Sequence, residues 1–348
     1  MKTLGYAAQS AGTPLAPLAF ERRALRPNDV AMEILYCGVC HTDVHMARND
    51  WGWSVYPIVP GHEIIGRVIG VGSEVSRFKA GDAVAVGCML DSCQHCDQCR
   101  KGEEQLCREG PTLTYISPDR ITHDITYGGY SKHIVVRQEF VLSVPEGLDL
   151  ARAAPLLCAG ITTYSPLRNW GVGPGSRVGV IGLGGLGHMA VKLASGLGAH
   201  VTVMSRTSGK EADARALGAD RLLVWTDKDA IAKAGSSFDL IIDTVPVRHD
   251  VSPYMPLLDV DGTLVMVGHL GLIDELFTVP LIMGRRGVAG SPIGGIAQTQ
   301  ELLDFCARKN ILPECEMIRM DGINEAFERM ERSDVRYRFV IDMASLKV

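Results

Sequence analysis

Four closely spaced cysteines are the strongest candidates for chemistry in this sequence. They are Cys93, Cys96, Cys99 and Cys107, and four thiolates at such spacing can surround a tetrahedral zinc ion unaided. An iron–sulfur cluster is one alternative, but the usual bacterial run places its fourth cysteine after about three residues and before a proline. Here seven residues intervene and Arg108 follows. Disulfides are the other alternative. A site closed by four sulfurs leaves no position for substrate, so we predict a structural zinc ion.

A second group of possible metal ligands is scattered along the chain. Cys40 opens the run CHTD, His62 lies in GHE after a proline-rich turn, and Cys158 lies in LLCAGITTY. Taken singly, each has an ordinary explanation, because a buried cysteine or histidine is more often a packing residue than a ligand. Cys37 and Cys40 also form a Cys-x2-Cys pair of the kind used in thiol redox chemistry. Spacing alone therefore does not select a second set of ligands.

The segment GLGGLG matches the dinucleotide-binding pattern G-x-G-x-x-G. A strand-like run (RVGVI) precedes it and a helical run follows at once, which is the context that the pattern requires. The first glycine permits a tight turn, the second lets a pyrophosphate approach the backbone, and the third brings helix against strand. A turn selected for packing alone is the alternative, which this context disfavours. The predicted cofactor contacts are Gly182, Leu183, Gly184, Gly185, Leu186 and Gly187.

The end of the next predicted strand indicates which dinucleotide binds. An NAD-specific site has Asp or Glu about 20 residues beyond the glycines, hydrogen-bonded to the ribose. This chain instead carries Ser205, Arg206 and Thr207, with Lys210 soon after. An acid would repel a 2′-phosphate, whereas a guanidinium and hydroxyl groups would hold it. A solvated surface cluster is the alternative, but the fingerprint determines this position, so we predict NADP(H).

The elements that must position these residues change in character near residue 150. Before it, apolar runs such as VAMEILYCGV and DAVAVGCML are broken by Gly and Pro and predict a β-rich domain. After it, apolar strands alternate with helices, which predicts a parallel sheet covered on both faces. The tail adds two helical runs, QTQELLDFCARK and INEAFERMERSD, and the strand YRFVIDM. We predict a split β-rich domain at 1–150 and 291–348, with an α/β nucleotide-binding domain inserted at 151–290.

Composition excludes several classes of protein. Of the 348 residues, 46% are hydrophobic and 22% are charged, the balance of an ordinary globular protein. The net charge of −5 supplies no overall attraction for nucleic acid or an anionic membrane surface. No uniformly apolar stretch reaches the roughly 18 residues of a membrane span, and no compact apolar region follows Lys2, so we expect no secretory signal. Ten cysteines in such a chain favour metal binding in the cytoplasm.

Taken together, the motifs resemble a known family. CGVCHTDVH, VPGHEIIGRV, the four-cysteine lobe, PLLCAGITTYSPL and GLGGLGH occur in the order found in zinc-dependent medium-chain alcohol dehydrogenases. The chain looks most like the cinnamyl-alcohol-dehydrogenase branch, and within it the bacterial NADPH-dependent aldehyde reductases. The supporting motifs extend from Tyr36 to the closing DVRYRFVID. The resemblance implies a GroES-like catalytic domain split by an inserted Rossmann domain, and it favours a homodimer built through the cofactor domains.

The resemblance also implies roles for individual residues. It implies that the catalytic zinc is held by Cys40, His62 and Cys158, and the structural zinc by the four-cysteine lobe. Glu63 matches the acid that can approach the metal. Thr42 matches the hydroxyl that passes a proton to or from the substrate oxygen, and His45 matches the outer end of that relay. Asp43 is expected to orient a ligand, and Arg206 stands where related NADP enzymes often have serine. Packing is the expected role of the remaining cysteines, Cys37, Cys88, Cys306 and Cys315. Further cofactor contacts are expected at Thr244, Val267, Ser291 and Ile293.

The predicted reaction is the reversible reduction of aromatic and medium-chain aldehydes to primary alcohols by NADPH. In it, zinc polarises the carbonyl oxygen, the nicotinamide supplies hydride, and Thr42 and His45 relay the proton. Two other classes compete. Zinc-independent quinone reductases and non-catalytic cofactor-binding relatives generally lack the Cys40, His62 and Cys158 set. A zinc-containing nucleic-acid binder would have a basic face, whereas the lobe is surrounded by Asp91, Asp97, Glu103 and Glu104.

Overall fold

The protein is described by a computed structural model, which covers residues 1–273 and 275–347. The chain forms two compact units, and each has its own sheet. Unit 1 consists of Met1–Ile161 and Gly294–Val348, and unit 2 consists of Thr162–Ile293, so the segment that forms unit 2 interrupts unit 1 in the sequence. The predicted domain boundaries at 150 and 291 remain predictions.

Strands account for most elements before residue 150, and helices alternate with strands after it. The described strands, β1 to β17 in chain order, are Lys2–Ala7, Ala16–Glu21, Asp29–Val39, Ile64–Val71, Ala83–Val86, Met89–Asp91, Thr112–Leu113, His133–Arg137, Leu142–Ser143, Arg177–Ile181, His200–Ser205, Arg221–Val224, Phe238–Asp243, Leu258–Met266, Gly287–Gly290, Cys315–Arg319 and Arg338–Asp342. The α-helices, α1 to α10, are His41–Arg48, Asp97–Arg100, Leu150–Ala153, Ala159–Asn169, Gly187–Gly196, Glu211–Ala216, Lys228–Lys233, Val279–Gly284, Ile296–Lys309 and Ile323–Glu331. Short 3₁₀ turns lie at Glu104–Leu106, Gln138–Phe140, Ala154–Leu157, Ser208–Lys210, Ser252–Leu257, Met320–Gly322 and Met343–Ser345.

Unit 1 is built around a mixed seven-stranded sheet. Its strand order is β16-β17-β3-β4-β5-β9, and β8 also pairs with β3. The closing strand β17 runs antiparallel to the end of β3, with Val340 opposite Gly38 and Ile341 opposite Cys37. Because β3 leads directly into α1, this pairing brings the last strand of the chain beside the segment that begins at Cys40.

The two tail helices of unit 1 are amphipathic, as their sequences predict. In α10 the buried residues are Ile323, Ala326, Phe327 and Met330, which share one helical face. In α9 the apolar residues Leu302, Leu303 and Phe305 are all buried. Burial of these faces, rather than intrinsic helix propensity, accounts for most of the stability of such short helices.

Unit 2 contains a six-stranded parallel sheet, which confirms the predicted α/β architecture. Its order, β12-β11-β10-β13-β14-β15, is that of a doubly wound dinucleotide-binding fold. In such a sheet the order reverses between the first and fourth strands, here β10 and β13, and ligands bind beyond the carboxyl ends of the strands at that point. The core includes the fully buried side chains of Ile241, Met255 and Leu264. The glycine turn follows β10 and is therefore placed at the reversal point.

Candidate active site and cofactor turn

The four cysteines of the lobe form one cluster in unit 1. The sulfur atoms of Cys93, Cys96, Cys99 and Cys107 all lie within 4.8 Å of one another. The backbone N–H groups of Arg108 and Cys99 each donate to Sγ of Cys96 at 3.5 Å. These donors lower the pKa of the Cys96 thiol and so favour the thiolate that binds metal. None of the ten cysteines forms a disulfide, and four sulfur donors at this spacing fit a tetrahedral zinc ion.

The scattered ligands also come together, which spacing alone could not show. Cys40 is the residue before α1, His62 and Glu63 directly precede β4, and Cys158 follows the 3₁₀ turn Ala154–Leu157. One ligand atom from each of these four residues lies within 4.8 Å of the others, and the sulfurs of Cys40 and Cys158 are 3.9 Å apart. All four residues are buried. Two thiols, an imidazole and a carboxylate in one buried cluster fit a zinc ion.

Asp43 links two of these residues through its carboxylate. Its Oδ1 accepts hydrogen bonds from Nδ1 of His62 at 3.2 Å and from the backbone N–H of Gly61 at 3.0 Å, while Oδ2 accepts from the backbone N–H of Cys40 at 3.0 Å. With Nδ1 engaged in this way, Nε2 of His62 is left for a metal ion. The hydroxyl groups of Tyr115 and Tyr130 also donate to the carboxylate. Sequence analysis proposed an orienting role for Asp43 and missed both tyrosines, which no local motif marks.

Glu63 is paired with an arginine that sequence analysis also missed. Arg338 opens β17, and its guanidinium donates to Oε1 of Glu63; the two side chains are 2% and 0% exposed. Burial raises the pKa of Glu63, and the charge of Arg338 opposes that rise. Oε2 of Glu63 has no hydrogen-bond partner among the described residues, and one carboxylate oxygen of Glu63 lies within 4.8 Å of the other three donor atoms. A charged residue within the apolar strand YRFVIDM was the available signal, because an arginine buried in a strand requires a partner.

The predicted proton-relay residues lie on α1. Thr42 is half-buried on the first turn, and Nδ1 of His45 lies 2.8 Å from Oδ2 of Asp50. The His45 ring lies 5.2 Å from that of Trp51, which stacks on Trp53 with ring centroids 5.9 Å apart. This row of aromatic rings ends at Trp53, which is largely exposed. The expected relay from Thr42 to His45 passes through the nicotinamide ribose, so the roles of these two residues remain predictions.

Cys88, which was expected to have a packing role, lies close to the cluster. Its thiol lies beside that of Cys158 and donates to the carbonyl oxygen of Leu157 at 3.7 Å. Glycine at the preceding position lets the backbone come close to that carbonyl oxygen, since a Cβ at Gly87 would lie only 3.1 Å from it. The expected packing role of Cys88 remains a prediction.

The glycine turn of unit 2 has the backbone geometry that its pattern predicts. Gly182 has a φ of 88°, in the region that favours glycine. A Cβ at Gly187 would lie 2.2 Å from the carbonyl oxygen of Gly182, whereas a Cβ at Gly184 would meet no atom within 4 Å. Gly182 and Gly187 are therefore required by the fold, and Gly184 leaves open space for a ligand. The other predicted contacts in this turn are the buried Leu183 and the half-buried Gly185 and Leu186.

The predicted phosphate-binding residues follow β11. Ser205 ends that strand, and Arg206, Thr207 and Lys210 are exposed. Nζ of Lys210 donates to the carbonyl oxygen of Leu183 at 3.3 Å, which brings this cluster beside the glycine turn. Among residues 1–273 and 275–347, no carboxylate forms an ion pair with Arg206, so its guanidinium is available to an anion.

Further predicted contacts lie at the same edge of the unit 2 sheet. The hydroxyl of Thr244 donates to the carbonyl oxygen of Ile181 at 2.7 Å, and Val267 and Ser291 follow β14 and β15. Ile293 is half-buried shortly beyond. Asp243, which precedes Thr244, is fully buried, and its Oδ2 lies 3.0 Å from Nε2 of His249. This contact raises the pKa of His249. Sequence analysis did not single out this pair, although a carboxylate ending a buried strand was a visible signal.

The fold and both donor clusters can be compared with known proteins. The profile described as the alcohol dehydrogenase GroES-like domain matches residues 26–146, and that of the zinc-binding dehydrogenases matches residues 185–308. The aldehyde reductase YahK of Escherichia coli K12 is 51% identical, and the alignment covers 99% of each chain. The chain belongs to the zinc-binding alcohol dehydrogenase family. This membership confirms the recognised family, the fold class and the prediction of an oxidoreductase.

Other relatives of this alcohol dehydrogenase agree. The NADP-dependent alcohol dehydrogenase C 1 of Mycolicibacterium smegmatis is 52% identical over 98% of each chain. A cinnamyl alcohol dehydrogenase of Sorghum bicolor has a TM-score of 0.95 and 45% identity, with 99% of this chain and 98% of that chain covered. The Helicobacter pylori cinnamyl alcohol dehydrogenase complexed with NADP(H) has a TM-score of 0.91 and 40% identity, with 99% of each chain covered. Among residues 1–273 and 275–347, no helix combines the length and hydropathy needed to cross a membrane.

Proposed function

We propose that this alcohol dehydrogenase reduces aldehydes to primary alcohols with NADPH, in a reversible reaction. The observation that carries the proposal is the buried cluster of Cys40, His62, Glu63 and Cys158, in which Asp43 orients the imidazole. The names of the relatives, an aldehyde reductase and NADP-dependent alcohol dehydrogenases, support the same reaction class. When bound, zinc polarises a carbonyl group and the nicotinamide supplies hydride.

The residues of the chain would bind, orient and exchange protons around that chemistry. Cys40, His62 and Cys158 would hold the metal and leave one position open to substrate, with a carboxylate oxygen of Glu63 nearby. Thr42 would donate a proton to the substrate oxygen. His45, whose side chain is 30% exposed, would exchange protons with solvent. Burial of the cluster excludes water, which strengthens each electrostatic contact within it.

Aromatic and medium-chain aldehydes are the proposed substrates. The row formed by His45, Trp51 and Trp53 supports this choice, because aromatic faces bind apolar rings and chains. Initial rates of NADPH oxidation with benzaldehyde and with a medium-chain aldehyde test the reaction. Cys40→Ala and Cys158→Ala proteins that stay folded should lose turnover, whereas Cys306→Ala on α9 should keep it. Retained turnover in the first two variants would refute the assignment of the ligands.

The preference for NADPH would come from the exposed cluster after β11. Arg206 without a carboxylate partner, and Lys210 beside the glycine turn, place positive charge where a 2′-phosphate is expected. We expect Arg206→Glu to raise the KM for NADPH about 10- to 100-fold and to leave that for NADH nearly unchanged, since a charged contact is worth about 1.5–3 kcal/mol. Lys228→Glu, an exposed charge reversal on α7, is the matched control. Comparable KM values for both cofactors in the unmodified enzyme would refute the phosphate assignment.

We also propose a homodimer formed through unit 2, and a cytoplasmic location in which the metal-binding thiols stay reduced. Strand β15 lies at an edge of its sheet, and Leu272, Ile282 and Met283 nearby in the sequence are each more than 70% exposed. An open strand edge and exposed apolar side chains are typical of an interface. Light scattering should give a dimer for the unmodified chain and a monomer for Ile282→Glu/Met283→Glu. Ile121→Glu, an exposed apolar site in unit 1, should remain dimeric.

A further inference from the structure

Asp43 accepts more hydrogen bonds than the orientation of one ligand requires. Besides His62 and the backbone N–H groups of Cys40 and Gly61, it accepts from the hydroxyl of Tyr115 at 2.8 Å and from that of Tyr130 at 3.1 Å. The carboxylate is fully buried, and among the described residues no lysine or arginine lies within ion-pair distance of it. A buried carboxylate without a cation persists only if hydrogen-bond donors take the place of water.

We propose that Tyr115 and Tyr130 are positioning residues of the catalytic metal site, and that they act on its ligands through Asp43. This inference rests on the proposed role of Cys40, His62 and Cys158 as metal ligands. It adds to that role a chain of contacts from the tyrosine hydroxyls to the carboxylate, and from the carboxylate to two of the three ligands.

Each tyrosine serves a different side of the carboxylate. Tyr115 donates to Oδ1, the oxygen that also accepts from His62, and its ring lies 5.8 Å from the imidazole ring. Tyr130 donates to Oδ2, the oxygen that accepts from the backbone of Cys40. Removing either hydroxyl would therefore loosen the carboxylate on the side of one particular ligand. The two effects should be similar in kind and cumulative.

Packing shows that both tyrosines are held in place independently of the carboxylate. Tyr130 is fully buried, and a Cβ at Gly61 would lie 2.7 Å from its ring, so this ring packs directly on the residue before His62. Tyr115 is 5% exposed and follows β7. Because the rings are packed on their own surroundings, Tyr→Phe removes a hydroxyl and leaves the position of the ring supported.

Zinc affinity is the readout that distinguishes positioning from general stability. Zinc-loaded Tyr115→Phe, Tyr130→Phe and the double variant are dialysed against chelators of graded strength, and zinc per chain is measured with the unfolding temperature. Loss of a residue that orients a ligand costs about 10- to 100-fold in metal affinity. We expect a loss of about 10-fold for the double variant and less for each single one. The zinc of the four-cysteine lobe should be retained.

Two controls make the test specific. Tyr56→Phe removes a hydroxyl that donates to the carbonyl oxygen of Ala47 on α1, at 2.9 Å, without touching Asp43, and it should release zinc as the unmodified enzyme does. In an Asp43→Asn background the tyrosine substitutions should change zinc affinity by no more than about twofold, because the carboxylate through which the tyrosines act is already absent.

The outcomes separate this inference from the proposed function. Zinc affinity of Tyr115→Phe/Tyr130→Phe equal to that of Tyr56→Phe would overturn the inference, as would equal loss of both zinc ions with a matching fall in unfolding temperature. If the double variant does not fold, the single variants are measured alone against the same two criteria. An unmodified chain that holds two zinc ions but reduces no aldehyde would overturn the proposed reaction and leave this inference standing. A chain that binds no zinc at Cys40, His62 and Cys158 would overturn both the proposed reaction and this inference.

Discussion

Replacing Arg338 by methionine should leave the buried carboxylate of Glu63 without its counter-ion. Arg338 is the one cation within ion-pair distance of Glu63 among the described residues, and neither side chain is more than 2% exposed. Breaking a buried ion pair by removing one partner costs about 3–5 kcal/mol. Methionine fills much of the same volume, so the lost charge rather than a cavity should dominate the change in the free energy of unfolding.

Protonation of Glu63 limits that cost. Beside Arg338 the pKa of Glu63 is raised to about 7, and one pH unit corresponds to about 1.36 kcal/mol, so protonating this carboxyl group at about pH 9 costs about 2.7 kcal/mol. The variant can lose its buried charge at that cost, and we expect it to lose about 3 kcal/mol of unfolding free energy at about pH 9. Without Arg338 the pKa of Glu63 in the folded state rises further, so above about pH 7 the folded variant holds a proton that the folded unmodified enzyme has released. The loss should therefore shrink as the pH falls to about 7, where the unmodified enzyme also takes up that proton.

The assay is urea unfolding of the zinc-loaded enzyme, followed by tryptophan fluorescence at several pH values. Arg285→Met is the matched control, since Arg285 and Asp261 form an exposed pair, 75% and 61% exposed, that solvent screens, and its loss should be much smaller. Arg338→Met/Glu63→Gln removes both charges and should recover most of the loss. A loss below about 1 kcal/mol at about pH 9, or one that does not change with pH, would refute the reasoning about the buried charge.

Three further predictions concern unit 2 and the cysteine lobe. Gly187→Ala should lower the free energy of unfolding by about 1–3 kcal/mol, because its Cβ would meet the backbone of Gly182. Gly184→Ala should stay folded and lose NADPH affinity. Equal stability of the two variants in urea unfolding would contradict this prediction. Because the pKa of His249 is raised, its contact with Asp243 stabilises the fold at low pH, and this stabilisation is lost as the pH rises. His249→Gln should therefore lower the free energy of unfolding by about 1 kcal/mol more at about pH 6 than at about pH 9. A loss of stability that is independent of pH would count against the pair. Cys96→Ser should reduce the zinc content, measured by metal analysis, from two ions per chain to one and lower the unfolding temperature. Retention of both ions would contradict the assignment of the four-cysteine lobe as a zinc site.

Patterns confined to one segment predicted the most about this enzyme. The glycine turn lies between β10 and α5 as its context predicts, and the α/β architecture of unit 2 follows from apolar strands alternating with helices. The four lobe cysteines converge, as their close spacing within one segment predicts. The boundaries of the domains and the roles of single residues remain predictions, since neither leaves a local pattern.

The amino-acid sequence alone therefore determined the four-cysteine lobe, the cofactor turn and the fold class of each unit, β-rich for unit 1 and α/β for unit 2. Only the tertiary structure decided which scattered residues meet at the second donor cluster, because Cys40, His62 and Cys158 come from three separate segments. The same holds for Tyr115, Tyr130 and Arg338, which reach the cluster from still other parts of the chain. Spacing along the chain is informative where local backbone geometry limits the distance between two residues. For residues brought together by strand pairing and burial, that distance depends on the whole fold.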